Sequence, residues 1–170
     1  GSGFSKEGYS FDGWLYSGTT YQAGQKFSAL FEVSGNTAEF VAQWTPNTYT
    51  VSFNSNGGSA VEAKQVTFDT AYGALTTPTR NGYTFAGWFY NGQQITAETI
   101  LKTADNHTLE AQWNARTDLV AIFNYNYGET PDTIEVNQVF ADKLNLPVSN
   151  PTRRGYTFAG WFTEAVAGTQ

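Results

Sequence analysis

One histidine, His107, and fifteen carboxylates are the side chains from which chemistry would have to be built, because the chain has no Cys. Without Cys, thiolate metal sites, disulfides and cysteine nucleophiles are excluded together. His107 stands between Asn106 and Thr108, just ahead of an alternating apolar stretch. A catalytic base needs a nucleophile and an orienting group beside it; the local sequence supplies neither, so His107 reads as a solvated side chain in a polar turn. A single His also excludes a His-rich zinc site. Glycoside hydrolysis needs two carboxylates held a fixed distance apart. Asp12, Glu32, Glu39, Asp69, Glu98, Asp105, Glu110, Asp118 and Glu129 are thinly spread, and none returns at a fixed interval. Asn54-Ser55-Asn56 and Asn124-Tyr125-Asn126 alternate side-chain oxygens but lack the carboxylates of a calcium loop. Asn56-Gly57-Gly58-Ser59 lacks the Lys of a phosphate loop. The residues point to no catalytic group, no metal and no cofactor.

Binding is a fairer candidate than catalysis. Tyr16, Tyr90, Tyr125 and Tyr127 are placed where strands or turns would present flat rings beside Asn and Gln groups, as a carbohydrate-binding surface requires. The competing reading is that tyrosines on small sheets cover strand faces and pair across strands. A Lys–Asn crosslink would suit a mechanically loaded protein, but the sequence cannot place Lys26, Lys64, Lys102 or Lys143 beside an acceptor.

What must position these side chains is a repeat. Arg80-Asn81-Gly82-Tyr83-Thr84-Phe85-Ala86-Gly87-Trp88 has one copy running from Lys6-Glu7-Gly8-Tyr9 through Phe11 to Gly13-Trp14. Another runs from Arg154-Gly155-Tyr156 through Phe158 to Gly160-Trp161, and the tryptophans lie 74 and 73 residues apart. A near-fixed period is the signature of an array. Tyr49, Val51 and Phe53 alternate with polar residues, the period of a half-buried strand, and Val120-Ala121-Ile122-Phe123 restarts the same pattern. Asn56-Gly57 has hairpin chemistry that needs positive φ, and Asn91-Gly92 turns the chain again. Ala42-Gln43-Trp44 and Ala111-Gln112-Trp113 end strands. Thr45-Pro46-Asn47 reads as a short linker, since Pro cannot donate to a ladder. Short helical turns are expected within the crossing segment 72–79 and around residues 97–101 and 139–144. Phe27, Leu30, Phe31 and Val33 form an apolar patch of ambiguous period, followed by a turn at Ser34-Gly35-Asn36. The boundaries that follow are 1–45 for the tail of one repeat, 46–114 for a whole one and 115–170 for the head of a third. Within the motif, Tyr83, Phe85 and Gly87 share a strand face and Trp88 falls on the other, unless a bulge at Gly87 redirects it into the core.

These residues resemble the Listeria–Bacteroides repeat, the internalin-type B repeat. The match rests on the strand and Asn-Gly-Gly hairpin, the Pro-Thr-Arg-x-Gly-Tyr-Thr-Phe-Ala-Gly-Trp core and the Ala-Gln-Trp ending, all in order within residues 49–113. Lys6-Glu7 departs from the usual start, and residues 132–146 are longer than their counterpart. The resemblance implies small β-grasp-like modules in tandem on bacterial surface or secreted proteins, acting as a spacer or adhesion element, with no catalytic residues to carry over. On this reading Gly8, Tyr9, Phe11, Gly13, Trp14, Trp44, Phe53, Gly82, Tyr83, Phe85, Gly87, Trp88, Trp113, Phe123, Gly155, Tyr156, Phe158, Gly160 and Trp161 are the structural core of the repeats.

Composition agrees. Aromatics are 16% and charged residues 14% of 170 residues, with 17 Gly, which fits several small cores joined by turns and not a disordered chain. A net charge of −6 argues against nucleic acid, whose phosphates need clustered Lys and Arg. No stretch approaches the roughly 20 apolar residues of a membrane span. With no Met, the chain is expected to be part of a longer product. The expected fold is mainly β, and the expected partners are neighbouring repeats together with a host or cell-surface protein or glycan, outside the cell.

Overall fold

The computed structural model describes residues 4–25, 37–128 and 132–163. Ten strands are found there and no helix. The apolar patch and turn expected at residues 27–36 lie outside the described residues, as does Lys26. The chain divides into two compact units, Gly1–Thr79 with Phe85–Gln112, and Arg80–Thr84 with Trp113–Gln170.

In the first unit, β1 (Tyr9–Tyr16), β2 (Thr19–Tyr21) and β3 (Val41–Pro46) form a three-stranded antiparallel sheet in the order β2-β1-β3. The β1–β2 hairpin is tight. Tyr16 faces Thr19, and the two loop residues Ser17 and Gly18 have φ of 45° and 80°. Positive φ at both central positions matches the twist of the strands it joins. The expected Thr45-Pro46 linker is instead the end of β3, where Pro46 faces Tyr9. Pro is tolerated there because β3 is, among the described residues, an edge strand of its sheet.

A five-stranded mixed sheet follows, built from β4 (Thr48–Asn54), β5 (Lys64–Thr67), β6 (Tyr83–Tyr90), β7 (Gln93–Ile95) and β8 (His107–Ala115), in the order β5-β4-β8-β6-β7. The first residues of β6 and the last of β8 fall in the second unit. β4 is antiparallel to β5 and parallel to β8, with Val51 opposite His107 and Phe53 opposite Leu109. β8 shows why it sits in the middle: His107, Leu109 and Ala111 are buried while Thr108, Glu110 and Gln112 are exposed. That is a period-2 strand laying one face on the core. Val51, Leu101 and Leu109 are fully buried, with Val66, Phe68, Tyr72, Trp88 and Ile95 around them.

The Asn56-Gly57 turn has the expected backbone, φ 48° and 87°, closed by Gly58 N–H donating to Ser55 O at 3.0 Å. It does not make a two-residue hairpin. Val51 pairs with Lys64, and Ser59 N–H donates to Thr79 O at 2.8 Å, so the chain leaves the turn toward residue 79 before β5 begins. Asn91-Gly92 does make the tight hairpin, with Tyr90 facing Gln93.

The expected helical turns are absent among the described residues. Residues 72–79 carry no helical turn; Tyr72 N–H donates to Thr99 O and Gly73 N–H to Ala97 O, both at 2.9 Å, and Gly73 has φ 67°. At 97–101 the chain makes one turn, Thr99 N–H to Thr96 O, then bridges Ala71 through Ile100. At 139–144 one turn is closed by Asp142 N–H on Val139 O. The N–H groups of Tyr72, Gly73, Leu101 and Phe140 bond carbonyls distant in sequence, which takes them from the i→i+4 pattern of a helix.

In the second unit, β9 (Leu119–Asn124) and β10 (Thr133–Gln138) form an antiparallel pair. Residues 154–162 carry the third motif, yet no strand pairs with them among the described residues. In the five-stranded sheet the corresponding strand β6 lies between β8 and β7. No helix of the described residues is long and apolar enough to cross a membrane.

Candidate functional site

The repeated aromatic motif is the feature that recurs, and its local geometry is the same in all three copies. Gly13, Gly87 and Gly160 have φ of 136°, 144° and 131°. In β1 the register against β3 slips between Phe11, which faces Trp44, and Gly13, which faces Gln43. Asp12 is the extra residue of a bulge. By this slip Phe and Trp, three positions apart, share one face. Their rings meet edge to face at 5.4 Å in Phe11–Trp14 and Phe85–Trp88, and at 5.2 Å in Phe158–Trp161. A Cβ on Gly87 would collide with the Gln94 side chain, whose Nε2 donates to Ala86 O at 3.2 Å; Gln22 makes the corresponding bond to Asp12 O. Gly opens the space in which a glutamine from the returning strand satisfies the bulged carbonyl.

The strand that begins each repeat completes the cluster. Phe53 lies 4.8 Å from Trp88 and Phe123 lies 4.9 Å from Trp161, while Trp44 meets Phe11 at 5.2 Å. Trp88 is 2% exposed, and its Nε1 donates to Thr76 O at 3.0 Å. Trp14, Trp44, Trp113 and Trp161 are half-buried. The Trp161 indole nitrogen is buried with no acceptor among the described residues.

A second recurring arrangement sits at the start of each motif, and sequence reading missed it. A turn closed by Tyr9 N–H on Lys6 O recurs as Tyr83 on Arg80 and Tyr156 on Arg153, each 3.1 Å. Its third residue is Gly8, Gly82 or Gly155, at φ 78°, 78° and 81°. Positive φ at the third position alone is the type II pattern, which calls for Gly. The basic residue that opens each turn then lies over the Tyr ring: Lys6 at 3.6 Å, Arg80 at 4.0 Å and Arg153 at 4.2 Å. The signal was in the sequence as a basic residue two places before each Gly. Aligning on Arg154 instead of Arg153 hid it.

In each unit this turn is covered by a Phe from farther along the chain. In the first, Phe68 packs edge to face on Tyr9 at 5.5 Å, and a Cβ on Gly8 would sit 2.5 Å from its ring. In the second, Phe140 packs on Tyr83 at 5.3 Å, and a Cβ on Gly82 would overlap it likewise. One linker residue clamps both sides. Asn47 N–H donates to Gly8 O and Asn47 O accepts from Phe68 N–H, each at 2.8 Å. Arg116 does the same between Gly82 and Phe140, at 3.0 and 2.9 Å.

The first of these junctions carries an added polar link. Tyr9 Oη and Lys102 Nζ both donate to the carboxylate of Asp69. Lys102, and after it Tyr9, hold that carboxyl below its ordinary range, and the same bond raises the Tyr9 phenol. A depressed carboxylate adds stability above its unfolded value of about 3.9, which is lost as pH falls through the folded value. A raised phenol acts in the opposite sense at the alkaline end, near pH 10. Stability measured by urea unfolding should therefore fall between pH 4 and pH 2 more steeply in this chain than in Asp69→Asn. The position of Asp69 (φ 63°) is taken by Ala141 (φ 61°) in the second unit, so only the first junction has this dependence.

The four tyrosines weighed as a carbohydrate surface are all half-buried. Tyr16 stacks on Phe40 at 5.0 Å, Tyr90 lies 4.8 Å from His107, Tyr125 lies 5.5 Å from Tyr127, and Tyr127 Oη donates to Thr152 O at 2.9 Å. His107 is not the solvated turn residue expected. It opens β8, is 8% exposed, and its Nδ1 lies 3.0 Å from Asp105 O. A carbonyl only accepts, so Nδ1 donates to it, and Nε2 shares a hydrogen bond with Tyr72 Oη at 2.8 Å. Burial raises the Tyr72 phenol. The pair is a satisfied core contact. Lys64 Nζ donates to Tyr72 O at 2.6 Å and Ala74 O at 2.9 Å, and no group of three or more His, Asp or Glu side chains able to hold a metal occurs among the described residues.

Comparison with known proteins agrees with this repeat geometry. The profile of the Listeria-Bacteroides repeat domain matches residues 49–112 and 120–170, more than half of the chain. A provisionally named Gly-rich membrane protein of Evansella cellulosilytica is 31% identical over 166 residues, 94% of this chain. A second provisionally named membrane protein of that organism is 33% identical over 169 residues, again 94% of this chain. Internalin H of Listeria monocytogenes is 34% identical over 113 residues, 64% of this chain. The chain spans only 18%, 24% and 20% of the lengths of these three. No solved structure matches it. With the Gly-Tyr turns and bulged Phe–Trp pairs of its second and third motif copies inside the matched segments, the chain belongs to the Listeria-Bacteroides repeat family.

Proposed function

We propose that the chain is a non-catalytic run of β-grasp-like repeats, serving as a spacer and adhesion segment of an extracellular, cell-surface or secreted bacterial protein. One observation carries this reading. The residues that recur are used to pack each repeat and to join it to the next, as the Gly8–Phe68 and Gly82–Phe140 contacts do. A segment built this way sets distance and orientation, since a docked junction reorients less than a free linker and repeat stability adds through neighbour contacts. The order β5-β4-β8-β6-β7, with its parallel β4–β8 pair, favours a β-grasp arrangement in which an extended segment crosses where a helix would. The names of the relatives favour a surface location. A net charge of −6 favours protein or glycan contacts over nucleic acid, and nothing in the composition favours membrane insertion.

Scattering from chains with increasing numbers of repeats tests the spacer. The maximum dimension should grow in proportion to repeat number, and a dimension that plateaus would defeat the reading. A glycan array provides the second arm. Saturable binding lost on Tyr90→Ala or Tyr127→Ala would replace the spacer by a carbohydrate-binding module.

A further inference from the structure

The turn that Phe68 and Phe140 cover occurs a third time with nothing on it among the described residues. Arg153, Gly155 and Tyr156 reproduce the hydrogen bond, the positive φ and the cation over the ring within narrow limits. Their surroundings differ. Gly8 and Gly82 are buried and Tyr9 and Tyr83 half-buried, whereas Gly155 is exposed and Tyr156 is 67% exposed. A Cβ on Gly155 would meet nothing within 4 Å. The socket is thus formed before it is filled, because a turn and a cation–π contact within four residues need no distant partner.

We propose that Arg153, Gly155 and Tyr156 form a docking socket for the hairpin of a following repeat, which inserts an aromatic side chain as Phe68 and Phe140 do. The two filled sockets specify the occupant. It brings a linker residue three places after a closing Trp, as Asn47 follows Trp44 and Arg116 follows Trp113, whose N–H bonds the Gly carbonyl. The aromatic residue then comes at the end of the hairpin, directly after β5 for Phe68, and bonds the linker carbonyl through its own N–H. Ring meets ring edge to face, a geometry that adds attraction beyond buried area. A residue larger than Gly would hold the incoming ring off, which gives the socket its selectivity. Relatives several times longer than this chain leave room for such repeats. The inference rests on the tandem-repeat reading but not on the spacer role, which is measured by dimension and not by the cost of a substitution.

The test extends the full chain. Residues 162–170 are replaced by a second copy of residues 89–143, which keeps the register after Trp161 and supplies a closing strand, a linker and a hairpin ending in a copy of Phe140. Gly155→Ala should lower the thermal midpoint of the 170-residue chain by the strain of its positive φ alone, and that of the extended chain by several degrees more. That added cost should disappear when the appended Phe is also changed to Ala. As an independent readout, Tyr156 should be nitrated well before Tyr83 in the chain as it stands, and as slowly as Tyr83 once extended. An equal effect of Gly155→Ala in both chains would overturn the proposal. So would rapid Tyr156 nitration in an extended chain whose added strands are protected from hydrogen exchange. Concentration-dependent association of the 170-residue chain, abolished by Gly155→Ala, would assign the socket to a second copy and likewise overturn it.

Discussion

Trp88→Ala is expected to cost about 3–5 kcal/mol of folding stability, the range for truncating a large buried aromatic side chain. Trp88 is the right residue on which to look for the full effect. It is 2% exposed, touches Phe53 and Phe85 edge to face, and donates its indole N–H to Thr76 O. Truncation leaves a cavity, removes two ring contacts and strands a carbonyl that had a donor. Against a total stability of roughly 5–15 kcal/mol, such a loss leaves a substantial fraction of molecules unfolded in mild denaturant. Equilibrium urea unfolding followed by circular dichroism reads it as a lowered midpoint at nearly constant slope. Trp161→Ala is the comparison. Trp161 is half-buried, and its indole N–H has no acceptor among the described residues. Removing an unsatisfied N–H offsets part of the lost packing, so its cost should be clearly smaller. Equal costs for the two would mean that burial in the central repeat does not govern their contribution.

Gly82→Ala is expected to destabilise by about 2–5 kcal/mol, from two sources that can be separated. An L-residue in the left-handed region costs about 1–2 kcal/mol, and Gly82 has φ 78°. Its Cβ would also overlap the Phe140 ring, and forcing atoms into a packed site costs about 1–3 kcal/mol. Gly82→Ala combined with Phe140→Ala isolates the first source, because the collision is gone while the strain remains. The double substitution should therefore cost less than the sum of the two single ones, by about the collision term. Strict additivity would show that the ring moves aside freely and that the Gly serves the turn alone. Gly8→Ala and Phe68→Ala form the same cycle in the first unit.

Short-range features were legible without coordinates. The Asn91-Gly92 turn, the bulge that brings Trp onto the face of Phe, and the alternation in β4 and β8 each depend on residues within a few positions of one another. The third motif makes the case. Phe158 and Trp161 meet as their counterparts do, and Gly160 keeps its φ, although no strand pairs with residues 154–162 among those described. The parts not legible depended on partners distant in sequence. The segment 72–79 reads as room for a helical turn, but the N–H groups of Tyr72 and Gly73 are taken by the carbonyls of Thr99 and Ala97. His107 is flanked by polar residues, but Tyr72 lies 2.8 Å from it. Neither partner can be deduced from neighbours along the chain.

By itself, then, the sequence determined the repeat, its glycine-dependent turns and bulges, and the pairing of rings within each motif, because backbone preferences and sterics act over a turn or a strand. Tertiary structure alone decided that β8 runs parallel to β4 between it and β6, and that Phe68 and Phe140 close over Gly8 and Gly82. Those contacts join residues some 60 positions apart, and a ring settles on a glycine only once the sheet has brought the two within reach.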